Sequence, residues 1–242
     1  FLYFHEQEVD LALIEVGIGG LLDTTNVITG EVAVITSVGL DHQETLGGSL
    51  EAIAAQKAGI FKAGKPAVIG PLAEEAEQVC IEKAKATGCP LARYGEDFQL
   101  VKGIFQDARH RFDSLKVGLN GAYQEENAAV ALEAFLLFME QIGKLVDENC
   151  VREALQATSW PGRLESFGQG VYLDGAHNPH AIHRLVEYAH TFSDKRVKLL
   201  FGALKRKDYK GMLEIFSRDL PEADLTVTTF AYGEVVQEAD GL

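Results

Sequence analysis

The sequence predicts an α/β protein of two domains, each built on a parallel sheet. Short apolar runs alternate with helical patterns along the 242 residues, which is typical of the βα repeats that form parallel sheets. The sequence Trp-Pro-Gly at residues 160–162 interrupts this alternation, because proline and glycine together stop a helix. The alternation then resumes. We therefore expect one domain over residues 1–158 and a second domain over residues 159–242.

The elements of the first domain follow from the spacing of its apolar residues. Continuous apolar runs predict buried strands at residues 9–16, 32–38 and 66–70. Apolar positions three and four residues apart predict helices at residues 49–60, 74–87, 123–142 and 147–157. Gly88 is expected to end the second of these helices. Short apolar stretches between polar residues predict hairpins at a sheet edge over residues 91–117.

The second domain repeats the pattern on a smaller scale. Its predicted strands are residues 171–173, 197–201 and 225–230, and its predicted helices are residues 179–191 and 209–220. The chain starts without a methionine, in a pattern typical of the end of a helix, and it stops after a strand without a closing helix. We therefore expect a piece of a longer protein, truncated at both ends.

The composition limits the partners that this chain is expected to bind. Its formal net charge of −14 makes non-specific contact with nucleic acid or an anionic membrane electrostatically repulsive. Its three cysteines form no Cys-x-x-Cys pair, which disfavours a zinc knuckle or disulfide framework and favours a reducing compartment. No apolar run reaches the roughly 18 residues that a membrane span requires. We expect a cytoplasmic protein that binds neither nucleic acid nor membrane and needs no more than a monomer.

Two polar side chains follow the first two predicted strands. Glu15 ends the first strand before a glycine-rich loop, and His42 follows the second strand. Ligands of open α/β sheets bind beyond the carboxyl ends of strands, where a carboxylate and an imidazole can share a divalent cation. Position alone leaves the alternatives open. In these, Glu15 is only a strand-end acid beside a flexible loop, and Asp41 or His42 only caps the following turn.

Lys57 occupies the apolar stripe of the helix predicted at residues 49–60, in register with Leu50, Ile53 and Ala54. A buried ammonium is costly, and a buried lysine can lose its proton and take up carbon dioxide to form a carbamate anion. Periodicity alone favours the alternative, in which the lysine extends its ammonium to solvent near a helix C-terminus.

Asn127 is a polar residue in an apolar row of the helix predicted at residues 123–142. The other members of this row are Val130, Ala131, Ala134 and Phe138. An amide in such a row usually satisfies a nearby backbone group and less often contacts a nucleotide base.

Polar residues of the second domain lie beside predicted chain breaks. Arg163 lies next to the predicted interdomain joint, which we expect to be flexible, so it either swings onto a phosphate or pairs with a surface carboxylate. Helix capping explains Asn178 and Pro179 without any function. Capping does not explain Asp174 and His177, which follow the strand predicted at residues 171–173, where ligands bind.

Six segments taken together resemble a known family. They are EVGIGGLLDTTNV (15–27), ITSVGLDH (35–42), QKAGI (56–60), LNGAYQEEN (119–127), WPGRLE (160–165) and DGAHNP (174–179). In this order they resemble folylpolyglutamate synthase, including its bifunctional dihydrofolate synthase form, within the Mur-ligase superfamily. The resemblance spans nearly the whole chain. It implies a P-loop-type ATPase domain followed by a Rossmann-like C-terminal domain, both incomplete in these 242 residues.

The resemblance also implies roles for individual residues. Glu15 and His42 match magnesium ligands, and Lys57 matches the lysine that is carbamylated in this family. Asn127, Arg163 and Asp174 match residues that contact ATP. His177 matches a residue that assists at the interdomain site. Leu22, Asp23 and Thr24 match a segment that touches the pteroate substrate. The residue before them, Leu21, occupies a position where the family commonly has an arginine.

The implied reaction uses ATP and Mg²⁺ to join L-glutamate to a folate, either tetrahydrofolate or dihydropteroate. ATP phosphorylates the folate carboxylate to an acyl phosphate, and the glutamate amine then displaces phosphate to form an amide. The sequence contains no Gly-x-x-x-x-Gly-Lys-Ser/Thr loop, which the family places upstream of these residues. We therefore expect the intact protein to be the enzyme, and these 242 residues alone to be inactive.

Two other functions remain as alternatives. The first is another Mur-type ligase, which joins an amino acid to a cell-wall nucleotide precursor; the DGAHNP motif and residues 22–24 favour the folate branch. The second is a non-catalytic relative that keeps the fold and binds a partner. The polar set of Glu15, His42, Lys57, Arg163 and Asp174 argues against it, because a scaffold has no physical need for those side chains.

Overall fold

A computed structural model of the protein describes residues 1–192, 194–228, 231–232 and 235–236. The chain divides into two compact units. The first unit consists of Phe1–Phe98 and Val130–Leu145, and the second consists of Gln99–Ala129 and Val146–Leu242. Each unit contains helices and a parallel pairing of strands, so the predicted α/β class is confirmed.

The first unit is built on a three-stranded parallel sheet. Its strands are β1 (Ala33–Ile35), β2 (Ala67–Ile69) and β3 (Leu91–Arg93), in the order β1-β2-β3. The central strand β2 is buried along its whole length. A strand buried on both faces is typical of a parallel sheet covered by helices, and it explains why this segment is continuously apolar.

Among the described residues, four α-helices lie wholly within the first unit. They are α1 (Leu2–Glu6), α2 (Gln43–Leu46), α3 (Leu50–Lys57) and α4 (Glu74–Thr87). The Ser49 hydroxyl accepts a hydrogen bond from the Ala52 amide and thereby caps α3. Gly88 has a φ of +70° and ends α4, where a left-handed residue favours glycine. Helices α3 and α4 share an apolar core with β1 and β2 that includes Ile53, Ile69 and Cys80.

The second unit begins with an antiparallel sheet and two helices. The sheet consists of β4 (Gln99–Val101), β5 (Ile104–Gln106) and β6 (Arg111–Phe112). Helix α5 (Tyr123–Gln141) contributes residues to both units, and α6 (Glu148–Ala157) follows it. The hairpins expected within residues 91–117 are therefore present, although the first strand of that stretch, β3, joins the parallel sheet instead.

The remaining elements of the second unit surround a smaller core. In chain order they are β7 (Glu165–Ser166), β8 (Tyr172–Leu173), α7 (Pro179–His190), β9 (Lys198–Phe201), α8 (Tyr209–Asp219), β10 (Asp224–Val227), β11 (Ala231–Tyr232) and β12 (Val235–Val236). Strands β9 and β10 are parallel, whereas β7 and β8 form an antiparallel hairpin, as do β11 and β12. The core joins α7, α8 and β9 through Ile182, Met212 and Phe201.

Two predicted strands differ from the structure. Residues 9–16 are not a strand, and Leu13 is 88% exposed. A strand needs a neighbour to accept and donate its backbone hydrogen bonds, and within the described residues no strand pairs with this run; its apolar content predicted burial but could not supply a partner. The strand predicted at residues 171–173 forms as β8, but it pairs antiparallel with β7 rather than joining a parallel sheet.

The last predicted strand forms as β10, and residues 229 and 230 of that prediction lie outside the described residues. Among the helices that the structure describes, none has both the length and the hydropathy needed to cross a membrane.

Candidate functional site

The first group of candidate residues belongs to a loop of the first unit, residues 17–28, which we call the glycine loop. Asp23 organises this loop. One carboxylate oxygen accepts hydrogen bonds from the Thr25 hydroxyl and amide at 2.6 and 2.9 Å, and the other accepts from the amides of Gly17 and Ile18 at 3.1 and 3.3 Å. The Thr25 hydroxyl first, and then these backbone amides, lower the pKa of the Asp23 carboxyl to about 2. Asp23 is therefore an ionised, hydrogen-bonded centre of the loop.

The glycine loop is fixed to the C-terminal end of α3. The Leu21 amide donates to the carbonyl of Gln56 at 2.8 Å. The Asn26 side-chain amide donates to the carbonyls of Leu21 and Gly59 at 3.0 and 3.2 Å. The Lys62 ammonium in turn donates to the Asn26 side-chain oxygen at 2.9 Å. These bonds place the loop against the helix end that carries Lys57.

Two glycines allow this close approach. A Cβ atom at Gly20 would lie 2.9 Å from the carbonyl oxygens of both Gln56 and Lys57. A Cβ atom at Gly59 would lie 2.4 Å from the Cβ of Leu21. Real Cβ atoms do not approach other atoms so closely, so the backbone contact between the loop and α3 requires glycine at both positions.

Lys57 is the last residue of α3, and its side chain is half-buried. Ile53 and Ala54 of the same stripe are fully buried, as the periodicity predicted. Among the described residues, no hydrogen bond or ion pair engages the Lys57 ammonium. The structure therefore places Lys57 beside the glycine loop with its nitrogen free for a ligand or for carbamylation.

Glu15 precedes the glycine loop and is exposed, but it does not end a strand as predicted, because residues 9–16 form none. His42 is also exposed and has a φ of +52°, which is uncommon for a residue other than glycine. Its carbonyl accepts hydrogen bonds from the amides of Thr45 and Leu46 in α2, and its amide donates to the Asp41 carboxylate. The backbone of His42 thus begins the helix, while its ring makes no capping bond.

The Glu15 carboxylate is a ligand of the oxygen type that Mg²⁺ prefers, whereas the His42 imidazole is a nitrogen ligand that Mg²⁺ uses less often. In the part of the chain that the structure describes, neither the Glu15 carboxylate nor the His42 ring makes a hydrogen bond or an ion pair. Within the same residues, no three His, Cys, Asp or Glu side chains are grouped so as to hold a metal. A site of one or two protein ligands is nevertheless what Mg²⁺ usually has, because phosphates and waters complete its shell.

The other two residues of the predicted substrate segment lie on the surface of the glycine loop. Leu22 is 87% exposed and Thr24 is exposed, whereas Asp23 between them is half-buried by its hydrogen bonds. Leu22 and Thr24 are therefore available to a substrate. Asp23 instead fixes the backbone that presents them.

The second group of candidate residues centres on a turn of the second unit, residues 160–165, which we call the Arg163 turn. The Leu164 amide donates to an oxygen of Asp174 at 2.9 Å, and the Leu164 carbonyl accepts from the side-chain amide of Asn120 at 2.9 Å. The Gly175 amide donates to the Gly162 carbonyl at 2.8 Å. We expected the joint at Arg163 to be flexible. In the structure, hydrogen bonds to both the amide and the carbonyl of Leu164 hold it in place.

Leu164 has an unusual backbone for its type. Its φ is +46° and its side chain is 1% exposed. A left-handed conformation costs about 1–2 kcal/mol for a residue other than glycine, so the hydrogen bonds on both faces of Leu164 and its burial must offset that cost. Arg163 precedes it, exposed, and its guanidinium has no hydrogen bond or ion pair within the described residues.

Asp174 and His177 follow β8, as predicted. The second oxygen of Asp174 accepts a hydrogen bond from the Ala176 amide at 2.8 Å, so both of its oxygens hold backbone. The Nδ1 atom of His177 lies 2.8 Å from the Gly175 carbonyl oxygen. A carbonyl only accepts, so Nδ1 carries the hydrogen, and Nε2 of the neutral ring is left as an acceptor. Asn178 caps α7 through the Ala181 amide, as expected.

Asn127 is placed differently from the prediction. Its side chain is exposed and donates to the side-chain oxygen of Gln124 at 2.9 Å, and Ala131 of the predicted apolar row is exposed as well. The buried face of α5 includes Ala129, Leu132 and Leu136, together with Val130 of the predicted row. The predicted row therefore lies partly on the buried face, and Asn127 and Ala131 are its exposed members.

Two residues beside the Arg163 turn were not predicted from the sequence to belong to a site. Asn120 binds the Leu164 carbonyl from 44 positions away in the chain. Tyr123 is half-buried, and burial, followed by the charge of Asp174, raises the pKa of its phenol, while the nearby Arg163 opposes this shift. The structure therefore groups Tyr123 with Arg163 and Asp174. Both missed residues belong to the segment LNGAYQEEN, but no local signal marks Asn120 as a partner of a distant carbonyl.

Comparison with known proteins identifies the class to which this fold and these loops belong. Two family models match the chain: the Mur ligase middle domain over residues 1–135, and the Mur ligase glutamate ligase domain over residues 162–240. The chain belongs to the Mur ligase family.

Within that family, the relatives of this chain carry the names that its motifs suggested. Folylpolyglutamate synthase of Lacticaseibacillus casei is 37% identical over 88% of this chain, and the chain spans 53% of that protein's length. The structure of Escherichia coli FolC in complex with DHPP and ADP matches 98% of this chain with a TM-score of 0.85 and 31% identity, and 56% of that protein is covered.

A third similar protein is the bifunctional folylpolyglutamate synthase/dihydrofolate synthase of Yersinia pestis, solved with AMPPNP and a Mn ion. It matches 97% of this chain with a TM-score of 0.83 and 31% identity, and the chain covers 56% of it. The resemblance inferred from the six segments is thereby confirmed. The chain spans about half the length of these relatives, and the roles of its individual site residues remain predictions.

We expect Gly59→Ala to destabilise the natural full-length polypeptide that carries these residues. The added methyl group would meet the Cβ of Leu21 at 2.4 Å, so the glycine loop must move away from α3. Overpacking of this kind costs about 1–3 kcal/mol, measured as the free energy of unfolding in urea. Gly48→Ala is the matched control, because no atom of the described residues lies within 4 Å of the added Cβ. Equal losses from the two variants would contradict the close approach.

We expect the stabilisation provided by Asp23 to disappear at low pH. The pKa of Asp23 is about 2 in the folded protein and therefore lies below its value in the unfolded chain. The stabilisation is thus complete above the unfolded pKa of about 3.9 and is lost as the pH falls through the folded pKa. Thermal unfolding should show Asp23→Asn less stable than the parent above that range, with a difference that shrinks toward pH 2.

The control for this measurement is Asp10→Asn, since Asp10 is exposed and outside the loop. It should shift the unfolding temperature little at any pH. A difference between Asp23→Asn and the parent that stays constant down to the folded pKa of about 2 would show that the carboxylate charge does not hold the loop.

Proposed function

We propose that the natural full-length polypeptide is an ATP-dependent ligase that joins L-glutamate to a folate. The observation that carries this proposal is the Arg163 turn, in which a fixed backbone presents an exposed guanidinium without a protein partner among the described residues. An arginine held in this way suits a phosphate, which it can bind through two parallel hydrogen bonds. Membership of the Mur ligase family and the names of the relatives support the choice of reaction and substrate.

The proposed reaction has two steps. In the first, a carboxylate oxygen of the folate attacks the terminal phosphorus of ATP, so that an acyl phosphate forms and ADP leaves. In the second, the amine of glutamate attacks the acyl carbon, the carbon–oxygen bond to phosphate breaks, and the amine loses a proton. The products are an amide, phosphate and ADP. Catalysis of phosphoryl transfer depends mainly on positioning and on neutralising the phosphate charges.

Residues of the second unit would bind ATP. Arg163 would contact its phosphates, and Asp174 would keep the Arg163 turn in place while offering its remaining lone pairs to the nucleotide. Asn127 is exposed at the start of α5 beside Gln124, where its amide would contact the nucleotide. His177 would accept a proton or a hydrogen bond through Nε2, because the Gly175 carbonyl fixes the hydrogen on Nδ1.

Residues of the first unit would hold a magnesium ion and the folate. Glu15 and His42 would be the metal ligands, since both side chains are exposed and without partners in the described part of the chain. The ion would neutralise charge on the phosphates when bound. A carbamylated Lys57 would add an anion near this site. Leu22 and Thr24 would contact the folate from the surface of the glycine loop, whose shape Asp23 maintains.

Phosphate release by the full-length polypeptide tests the function. With ATP and Mg²⁺, release should require glutamate together with tetrahydrofolate or dihydropteroate. Arg163→Ala should lower kcat/KM about 10- to 100-fold, because a charge-assisted hydrogen bond contributes about 1.5–3 kcal/mol. Arg111→Ala should leave the rate unchanged, since Arg111 is an exposed residue of β6 whose guanidinium pairs with Asp113.

The substrates separate the competing functions. Release with a cell-wall nucleotide precursor and an amino acid, but not with either pteridine, would replace the folate proposal by the cell-wall ligase. No release with any of the three acceptors would support the non-catalytic relative. An unchanged rate for Arg163→Ala in an active enzyme would overturn the role given to that residue.

We also propose that the functional domains meet at residues 158 and 159 and that the protein is cytoplasmic. The family models support the boundary, as they leave residues 136–161 between them. The free thiols of Cys80, Cys89 and Cys150 support a reducing compartment. Limited proteolysis that cuts first within residues 99–129 would contradict the boundary, and recovery of the protein outside the cytoplasmic fraction would contradict the location.

A further inference from the structure

We infer that Asn120 is a positioning residue for Arg163: its side-chain amide holds the Leu164 carbonyl and thereby fixes the direction in which Arg163 leaves the turn. The inference rests on the proposed function, in which Arg163 binds the phosphates of ATP. It adds a residue to which neither the motifs nor the family resemblance assigned a role.

The backbone of Leu164 has an unfavourable conformation. Its φ of +46° is unfavourable for leucine, so this conformation persists only while neighbouring groups hold it. The Leu164 side chain is buried at 1% exposure and cannot turn without leaving the core. If the backbone relaxed toward negative φ, the rotation about the N–Cα bond would therefore be taken up by the preceding peptide. That peptide carries Arg163.

A pair of hydrogen bonds prevents this rotation. Asp174 binds the Leu164 amide at 2.9 Å, and Asn120 binds the Leu164 carbonyl at 2.9 Å. Asp174 is itself a proposed nucleotide contact, so its substitution would mix two effects. Asn120 has no proposed contact with the nucleotide, and it isolates the positioning effect.

The segment that carries Asn120 is closely packed. The Gly118 amide donates to the Leu155 carbonyl of α6 at 2.9 Å, and a Cβ at Gly118 would lie 2.4 Å from the carbonyl oxygen of Thr158. On the other side of Asn120, Gly121 has a φ of +99°, and its Cβ position lies 2.7 Å from the Tyr123 ring and 3.0 Å from a Leu164 methyl group. Asn120 thus lies between two glycines that are closely packed, Gly118 against backbone carbonyls and Gly121 against side chains, which gives the segment the rigidity that a positioning residue requires.

A double-mutant cycle on the full-length polypeptide tests the inference. Asn120→Ala should weaken the binding of a non-hydrolysable ATP analogue about 5- to 20-fold, measured by calorimetry, and raise the KM for ATP by a similar factor. In an Arg163→Ala background, Asn120→Ala should change the affinity less than about twofold, because the residue that it positions is gone. Asn120→Asp should bind the analogue no more tightly than Asn120→Ala, since a carboxylate fills the same space but donates no hydrogen bond and repels the Leu164 carbonyl oxygen.

A purely structural Asn120 predicts a different outcome. The stability control is Val151→Ala, a buried position of α6 in the same unit. It should lower the unfolding temperature without changing the affinity for the analogue. If Asn120→Ala behaves like Val151→Ala, or if its effect adds fully to that of Arg163→Ala, the inference is overturned.

The same measurements separate this inference from the proposed function. A loss of affinity in Arg163→Ala with none in Asn120→Ala overturns the positioning role and leaves the nucleotide role of Arg163 standing. An unchanged affinity in Arg163→Ala overturns both, since Asn120 would then have no phosphate-binding residue to position.

Discussion

The Asp174 carboxylate binds backbone amides with both oxygens, one from Leu164 and one from Ala176, and the candidate site of the second unit depends on this pair. The two bonds join the Arg163 turn to the chain that carries His177. Without them, the left-handed backbone of Leu164 would have to be held by Asn120 alone. The Asp174 side chain therefore has a structural role whether or not it also contacts a nucleotide.

The first unit uses a related arrangement. Asp23 collects amides within the glycine loop, and Gly20 and Gly59 let the loop approach α3 more closely than any other residue would allow. In both units, an aspartate that was a candidate site residue, Asp23 or Asp174, fixes the backbone through hydrogen bonds. Within the described residues, neither the Lys57 ammonium nor the Arg163 guanidinium makes a hydrogen bond or an ion pair. For Arg163, a fixed backbone that presents an unpaired guanidinium is the arrangement that a preorganised phosphate site requires.

Local signals in the sequence were sufficient for the helix ends, because a cap forms between residues close in the chain. Ser49, Gly88 and Asn178 illustrate this. Features that depend on distant residues could not be predicted. Residues 9–16 have the composition of a strand but no pairing partner in the described structure, and Asn127 is exposed although its row on α5 also contains the buried Val130. The motifs identified the family and its candidate residues. They could not reveal the bond between Asn120 and Leu164, since it joins positions 44 residues apart and leucine gives no sign of a positive φ.

The proposed function requires that a folate carboxylate is activated as an acyl phosphate. Phosphate released by the full-length polypeptide can be analysed by mass spectrometry after reaction of ATP and glutamate with a folate in which both oxygens of the reacting carboxylate are a heavy isotope. The attacking carboxylate oxygen remains on phosphorus when the amine displaces phosphate, so we expect one heavy oxygen in each phosphate released. Amide formation with unlabelled phosphate would rule out the acyl phosphate.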